Sequence, residues 1–267
     1  MKKKFVSIIL VGILLVTLLI GQSQAAEKHN EYQYDVLADG TVEIVQYYQP
    51  MSNAEHVIIP ETIEGYTVTS IGRQAFNWCG ATTIVIPDTV TTIKKYAFNN
   101  CSDLKSIKLS KNLKVIEDYA FYANRNLERI QFPDGLLEIG EQVFFGCVEL
   151  DSVIVPNSLQ TVKWQAFSGC KAIDNVYYKG TKSEWDALDF FKDNVANLAT
   201  VHYDFNLQPG DMNGDGINNM LDALYLYASV SGQMELAPVY LMLADVDYDA
   251  RVNTMDSLML YGRVSGT

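Results

Sequence analysis

The chain has 267 residues, 48% of them hydrophobic, with a formal charge of −12. That length allows one large domain or two ordinary ones, and the apolar fraction excludes a wholly disordered chain. An acidic balance also argues against nucleic acid and anionic lipid as partners, since both are polyanions.

The first residues read as a targeting segment. Lys2, Lys3 and Lys4 precede an apolar run from Phe5 to Ile20, and the small residues Ser23, Ala25 and Ala26 follow. This is the pattern of a secretory signal peptide over residues 1–26, cut after Ala25 or Ala26. The alternative, a retained anchor, needs about 20 apolar residues, and the run is shorter than that. The segment holds three lysines and no acid, so its removal takes the charge from −12 to −15. The mature protein is expected outside the cell and free of the membrane.

Tyr32 to Tyr47 alternates apolar and polar residues around Asp39-Gly40, which predicts a β-hairpin. A repeat follows. Phe76, Phe98, Phe121, Phe144 and Phe167 lie 22, 23, 23 and 23 residues apart, in the phrases IGRQAF, IKKYAF, IEDYAF, IGEQVF and VKWQAF. Between them stand TTIVIPDTV, LKSIKLSKNL, LERIQFPDGL and LDSVIVPNSL. Each reads as a short strand meeting a turn. In the third, Leu127, Ile130 and Phe132 are expected inside, with Arg129 and Gln131 outside. One unit cannot bury its own apolar face, but stacked units can, with the phenylalanines as an inner ladder. Outward positions would include Thr83, Lys108, Arg129, Gln131 and Tyr177.

These units, over His56 to Lys179, resemble the BspA-like leucine-rich repeats of bacteria, whose signature is I-P-x-x-(V/L)-x-x-I-G-x-x-A-F-x-x-C. The resemblance implies a β-rich solenoid of the α+β class. Cys79, Cys101, Cys147 and Cys170 each follow the repeat phenylalanine by three residues, and Asn124 holds that place in the remaining copy. Secreted cysteines commonly pair. Here the register of the repeat accounts for their spacing, which favours free buried thiols that bond turn backbones. Cys79–Cys101 and Cys147–Cys170, one repeat apart, are the pairs that could bridge.

The hairpin would cap one end of the stack. At the other, VYYKGTKSEWDALDF leads to NLATVHY, ending at Tyr203. This segment is similar to the one that closes many such arrays, and Trp185, Leu188 and Phe190 are expected as cap packing. A sugar-stacking Trp185 is the alternative. The repeat domain with its caps is placed at 27–204. Phe205 to Gly210 then reads as a linker at 205–210, with a second domain at 211–267.

That domain opens on DMNGDGINNMLD (211–222). Side-chain oxygens stand at loop positions 1, 3, 5, 9 and 12: Asp211, Asn213, Asp215, Asn219 and Asp222. Gly216 takes the sharp turn, and Ile217 would offer its carbonyl. Such a set suits Ca2+, which takes six to eight oxygens in a flexible cage. DVDYDARVNTMD (245–256) repeats it 34 residues later through Asp245, Asp247, Asp249, Arg251, Asn253 and Asp256. Its turn residue is Ala250, which in a left-handed conformation costs about 1 kcal/mol against Gly. The second site is therefore expected to bind more weakly. The bland alternative is a pair of acidic surface turns.

A helix is expected from Asp222 to Val230, with Leu224, Tyr225 and Ala228 at helical spacing. Another is expected from Asp256 to Val264, with Leu258, Met259 and Gly262. Position 12 is Asp, not Glu, and no entering helix precedes the first loop. This duplicated half-EF-hand, spanning about Pro209 to Gly266 with APVYLMLA (237–244) as a linking helix, resembles the type I dockerin of cellulosomes. The resemblance implies a small all-α module with two bound Ca2+ and a cohesin module of a scaffolding protein as partner. It also implies partner contacts at loop positions 10 and 11 and along the helices: Met220, Leu221 and Tyr227, then Thr254, Met255 and Tyr261. Intramodule packing is the alternative role for these residues. The two pairs differ in kind, so one binding orientation is expected to dominate.

The only histidines are His29, His56 and His202, and none falls in a metal or triad pattern. Carboxylates are too many for counting to test a glycosidase-like pair. The expectation is a non-catalytic cellulosome component at a cell surface or assembly, with a protein or glycan ligand for the repeat face. An adhesin, an enzyme inhibitor and, last, a polysaccharide-degrading enzyme are the alternatives.

Overall fold

The structure is a computed structural model and describes residues 31–48, 55–188, 199–204, 212, 219–234, 240, 244–245 and 252–265. The signal segment, Phe190, the linker and most of the two acidic loops lie outside the described residues.

The chain begins with the expected hairpin. β1 (Tyr32–Val36) pairs antiparallel with β2 (Val42–Tyr47), and Gly40 at φ +81° makes the turn. After β3 (His56–Ile58), β4 (Thr62–Ile63) and β5 (Tyr66–Ile71), each repeat contributes one outer and one shorter strand. The outer strands are β6 (Thr83–Val85), β8 (Ser106–Lys108), β10 (Arg129–Gln131), β12 (Ser152–Val155) and β14 (Asn175–Tyr178). The shorter ones are β7 (Thr92–Ile93), β9 (Val115–Ile116), β11 (Glu138–Ile139) and β13 (Thr161–Val162). A short helix α1 (Lys182–Ala187) and β15 (Thr200–His202) end the array.

The shorter strands join the hairpin and β5 in one sheet of order β1-β2-β5-β7-β9-β11-β13, parallel after the hairpin except for β4, which pairs antiparallel with β5. The outer strands form two parallel runs, β3-β6-β8 and β10-β12-β14-β15. Between the two walls lies a continuous core. Val42 and Ile44 begin it and Trp185 ends it. Leu127, Ile130 and Phe132 are buried, while Arg129 and Gln131 keep partial exposure, as the alternation requires.

The phenylalanine ladder is present. Centroids of Phe76, Phe98, Phe121, Phe144 and Phe167 are 5.0, 5.2, 5.4 and 5.2 Å apart, all stacked. Tyr47 continues the ladder into the hairpin at 4.9 Å from Phe76, so the cap supplies the ring that a further repeat would have given. At the far end Trp185 is buried, 5.1 Å from Tyr178, with Leu188 against the same core. Thr181 caps α1 and exchanges hydrogen bonds with Glu184, an arrangement that satisfies two orphan amides.

The turns carrying the phenylalanines are tight. Gln74, Tyr96, Tyr119, Gln142 and Gln165 all have positive φ, between 51° and 61°. A left-handed non-glycine residue costs about 1–2 kcal/mol. Inter-turn hydrogen bonds offset it: Tyr96 N–H donates to Asp118 O and Tyr119 N–H to Glu141 O.

The cysteine column sits beneath these turns. Cys101, Cys147 and Cys170 donate their Sγ–H to the carbonyls of Phe76, Phe121 and Phe144 of the preceding repeats. Asn124 does the same with Nδ2, donating to Phe98 O at 3.0 Å, while its Oδ1 accepts from Cys101 N–H at 2.8 Å. The column is thus a row of short donors, which is why Asn can stand in it. All four thiols are buried and free. Burial first, then the neighbouring cysteine, pushes the Cys101 and Cys147 thiols well above the usual range. Those two therefore stay protonated and inert.

Two outward expectations are corrected. Thr83 is only 3% exposed, because His56 Nδ1 from the preceding turn lies 2.6 Å from its Oγ1 and covers it. Tyr177 is 6% exposed, stacked on His202 at 4.6 Å and overlain by the C-terminal module.

Candidate functional site

The C-terminal module is described through two helices, α2 (Met220–Val230) and α3 (Thr254–Ser265). Both begin at loop position 10, two residues earlier than position 12, where they were expected. The reason is local. Asn219, at loop position 9, is the N-cap of α2; its Oδ1 accepts from Leu221 N–H at 2.8 Å, while Asp222 Oδ2 accepts from Asn219 N–H at 2.7 Å. Asn253 and Asp256 repeat this at 2.7 and 2.9 Å. The phrases Asn-Met-Leu-Asp and Asn-Thr-Met-Asp are therefore capping boxes as well as loop ends. That signal was in the sequence, hidden beneath the ligand pattern.

The loop-end carboxylates are fully buried: Asp222 and Asp256 are both 0% exposed. Asp222 Oδ1 also accepts from Met212 N–H at 2.8 Å, so this one side chain ties the start of its loop to the end. Asp245 is half-buried. The remaining expected ligands, Asp211, Asn213, Asp215, Ile217, Asp247, Asp249 and Arg251, lie outside the described residues. Among the described residues no group of three or more His, Cys, Asp or Glu converges. The donor set is nevertheless that of a hard cation. Carboxylate and amide side chains recur along each acidic segment of the sequence, and Asp222 and Asp256 are withdrawn from water, where a cation would offset the desolvation cost.

Between the helices, equivalent residues meet. Ser257 Oγ donates to Ala223 O at 3.0 Å, and Leu226 and Leu260 are both buried. Each of these pairs is 34 residues apart, the repeat period of the loops. The apolar residues that gave the helical spacing lie on the other side. Leu224 is 55% exposed and Leu258 64%, with Tyr225 and Met259 exposed beside them. Met220, Leu221, Tyr227, Thr254, Met255 and Tyr261 are all exposed as well. The two helices thus bury one narrow stripe and present a broad apolar surface, of a kind that marks interaction sites. Leu224, Tyr225, Leu258 and Met259 belong to that surface and were read only as helix formers.

The outer sheet of the array offers a second surface. A hollow of about 500 Å3 lies beside β8 and β10, lined by residues that include Lys108, Lys111, Asp88, Asp134 and Lys179. Two of its lysines are paired with its two aspartates: Lys111 Nζ is 2.8 Å from Asp88 and Lys179 Nζ 2.5 Å from Asp134. Further along the sheet, burial together with the nearby Asp151 and Tyr240 raises the Tyr177 phenol above its ordinary value.

A stacked solenoid with an internal phenylalanine ladder, followed by a small helical module, is the architecture of a leucine-rich-repeat protein with an appended domain. Two family models match. The BspA type leucine rich repeat region covers residues 69–195 in six copies, one more than the five phenylalanine phrases, and the dockerin type I domain covers residues 209–265. A leucine-rich-repeat protein of T. pallidum is 30% identical over 55% of this chain and 69% of its own, with a TM-score of 0.52. A leucine-rich cell surface protein of Faecalibacterium prausnitzii is also 30% identical, over 58% of this chain and 39% of its own, at TM-score 0.52. The pneumococcal vaccine antigen PcpA shares the fold at 19% identity and TM-score 0.51, over 65% of this chain and 43% of its own. No curated protein matches.

The chain belongs to the BspA-type leucine-rich-repeat family and carries a C-terminal dockerin type I domain. Leucine-rich repeats imply protein interaction, and a type I dockerin implies cohesin binding in a cellulosome-like assembly. Both are non-catalytic families. No helix among the described residues is long and apolar enough to cross a membrane.

Proposed function

We propose that this is a secreted, non-catalytic component of a cellulosome-like assembly. Its dockerin binds a cohesin module in a calcium-dependent way, and its repeat array is the interaction domain so delivered. The observation that carries this reading is the exposed apolar surface of α2 and α3, built within a dockerin type I match. Met220 and Leu221 in the first copy, with Met255 in the second, are the central anchors. Thr254, Tyr227 and Tyr261 flank them.

Two Ca2+ ions are assigned to the paired loops, one to Asp211, Asn213, Asp215, Ile217, Asn219 and Asp222, the other to Asp245, Asp247, Asp249, Arg251, Asn253 and Asp256. Their role is structural. An ion at each loop draws position 12 toward position 1, and Asp222 already holds Met212 in that manner. Positions 10 and 11 are then fixed at the first turn of each helix, where the partner would meet them. Metal binding becomes folding energy in a module this small.

Calorimetry against a panel of cohesins, in Ca2+ and then in EDTA, tests the proposal. Tight binding to at least one cohesin in Ca2+, lost in EDTA, is expected. Full affinity in EDTA would refute the calcium dependence, and failure of every cohesin the partner. For the array, a glycan array and a pull-down from culture supernatant separate a glycan ligand from a protein one. Release of sugar from polysaccharide by the pure protein would overturn the non-catalytic reading.

A further inference from the structure

The outer sheet has a row of residues, one per turn, that point away from the solenoid core. Ile58, Val85, Lys108, Gln131, Ile154, Tyr177 and His202 form it, through the register of the two parallel runs. Their exposure is not uniform. Ile58, at one end, is 73% exposed, whereas Ile154 is 0% and Tyr177 6%. The main core of the solenoid does not take in those two, although His202 stacks on Tyr177. Their strand neighbours Val153, Val155, Val176 and Tyr178 belong to the main core, and Ile154 and Tyr177 do not. They fall instead in a second apolar cluster with Met212, Ala223, Leu226, Ala244 and Leu260 of the C-terminal module, flanked by Val230, Tyr240 and Val252.

We propose that the dockerin is seated in cis on the last turns of the repeat sheet, through Ile154 and Tyr177, so that array and plug move as one rigid body. Three observations converge on it. The first is chemical. A row that carries Lys108 and Gln131 in its middle turns apolar and aromatic at the place where the module lies. The second is connectivity. β15 is the strand next to β14, with His202 paired to Tyr177, so the chain leaves the sheet beside the patch it covers. Only six residues, 205–210, stand in the sequence between the array and the module. Tethering by so short a segment gives an effective concentration in the millimolar region, at which a small apolar contact suffices. The third is orientation. The helix residues that share a cluster with Ile154 and Tyr177, namely Ala223, Leu226 and Leu260, are not those exposed for a partner, such as Leu221, Leu224 and Met255. One face can stay on the sheet while the other binds.

The consequence is a fixed display. A bound scaffold would hold the solenoid at one angle, with the Ile58 end of the row open for the array's ligand and the Tyr177 end closed to it.

Spin labels at Lys105→Cys and Gln233→Cys in the full chain, loaded with Ca2+, test this without any cohesin. Both positions are exposed, and the native thiols are buried. Pulsed dipolar spectroscopy should give one narrow distance peak. Ile154→Asp should disperse it into a broad distribution while circular dichroism and the main melting transition stay in place. Tyr240→Asp, placed on the module side, should do the same if Ile154→Asp impairs folding of the array. A broad distribution in the parent chain, or a narrow one that survives both substitutions, overturns the proposal. Because no cohesin takes part, failure here leaves the cohesin reading standing, and the reverse also holds.

Discussion

The repeat array and the C-terminal module solve the same problem by different means. Both are built from duplicated sequence, and in both no single copy can bury its own apolar face. The array answers with repetition: six turns share one core, every ring of the ladder has neighbours, and strand amides are satisfied by the next turn. The module has only two copies, and among the described residues its own buried apolar side chains are Met212, Ala223, Leu226, Ala244 and Leu260. Domains of this size commonly need a metal or another staple. Stability is therefore expected to be distributed and apolar in the array, and to depend on a few carboxylates in the module.

The largest test of that contrast removes the metal. EDTA, or Asp222→Ala, should unfold α2 and α3 and abolish cohesin binding, while the array's melting transition is unmoved. Far-ultraviolet circular dichroism and calorimetry read the two parts separately. Coincident melting of both parts would deny the division.

Next in size is the ladder. Phe121→Ala removes a ring stacked on both sides at 5.2 and 5.4 Å, and truncation of a buried phenylalanine costs about 3–5 kcal/mol. Urea titration should show that loss in the array alone, with cohesin affinity unchanged.

The partner face should behave in the opposite way. Leu221→Ala is expected to weaken cohesin binding by about 2 kcal/mol, near thirtyfold, as a central anchor does. The thermal transitions should not shift, since the side chain is 53% exposed. If one orientation dominates, substituting Met255 will cost measurably less or more than substituting Leu221.

The smallest effect sharpens the account of the cysteine column. Asn124→Cys keeps a donor toward Phe98 O but leaves Cys101 N–H without its acceptor. An unsatisfied buried donor costs about 1–3 kcal/mol. Asn124→Ala should cost more, because it strands Phe98 O as well.

Much of this was legible before any coordinate. The 23-residue period fixed the solenoid, the ladder and the thiol register, because in a stack each turn repeats the environment of the last. Alternation placed Ile130 inside and Arg129 outside for the same reason. The dockerin pattern of the two acidic segments was equally plain, since it depends on residues twelve apart or fewer. Helix starts were misjudged by two residues because Asn219 and Asn253 serve as caps, and a ligand motif does not advertise that.

What sequence alone determined here is everything set by local period: fold class, ladder, thiol column and acidic loops. Tertiary structure decided which face of each helix is buried: the helical spacing picked out Leu224, which is exposed, and packing buries Leu226 instead. It also decided the fate of Tyr177. Strand alternation puts that side chain outward, and it is buried by His202 of the last strand together with the domain beyond the linker. Contacts between unlike domains carry no period, so no repeat in the sequence announces them.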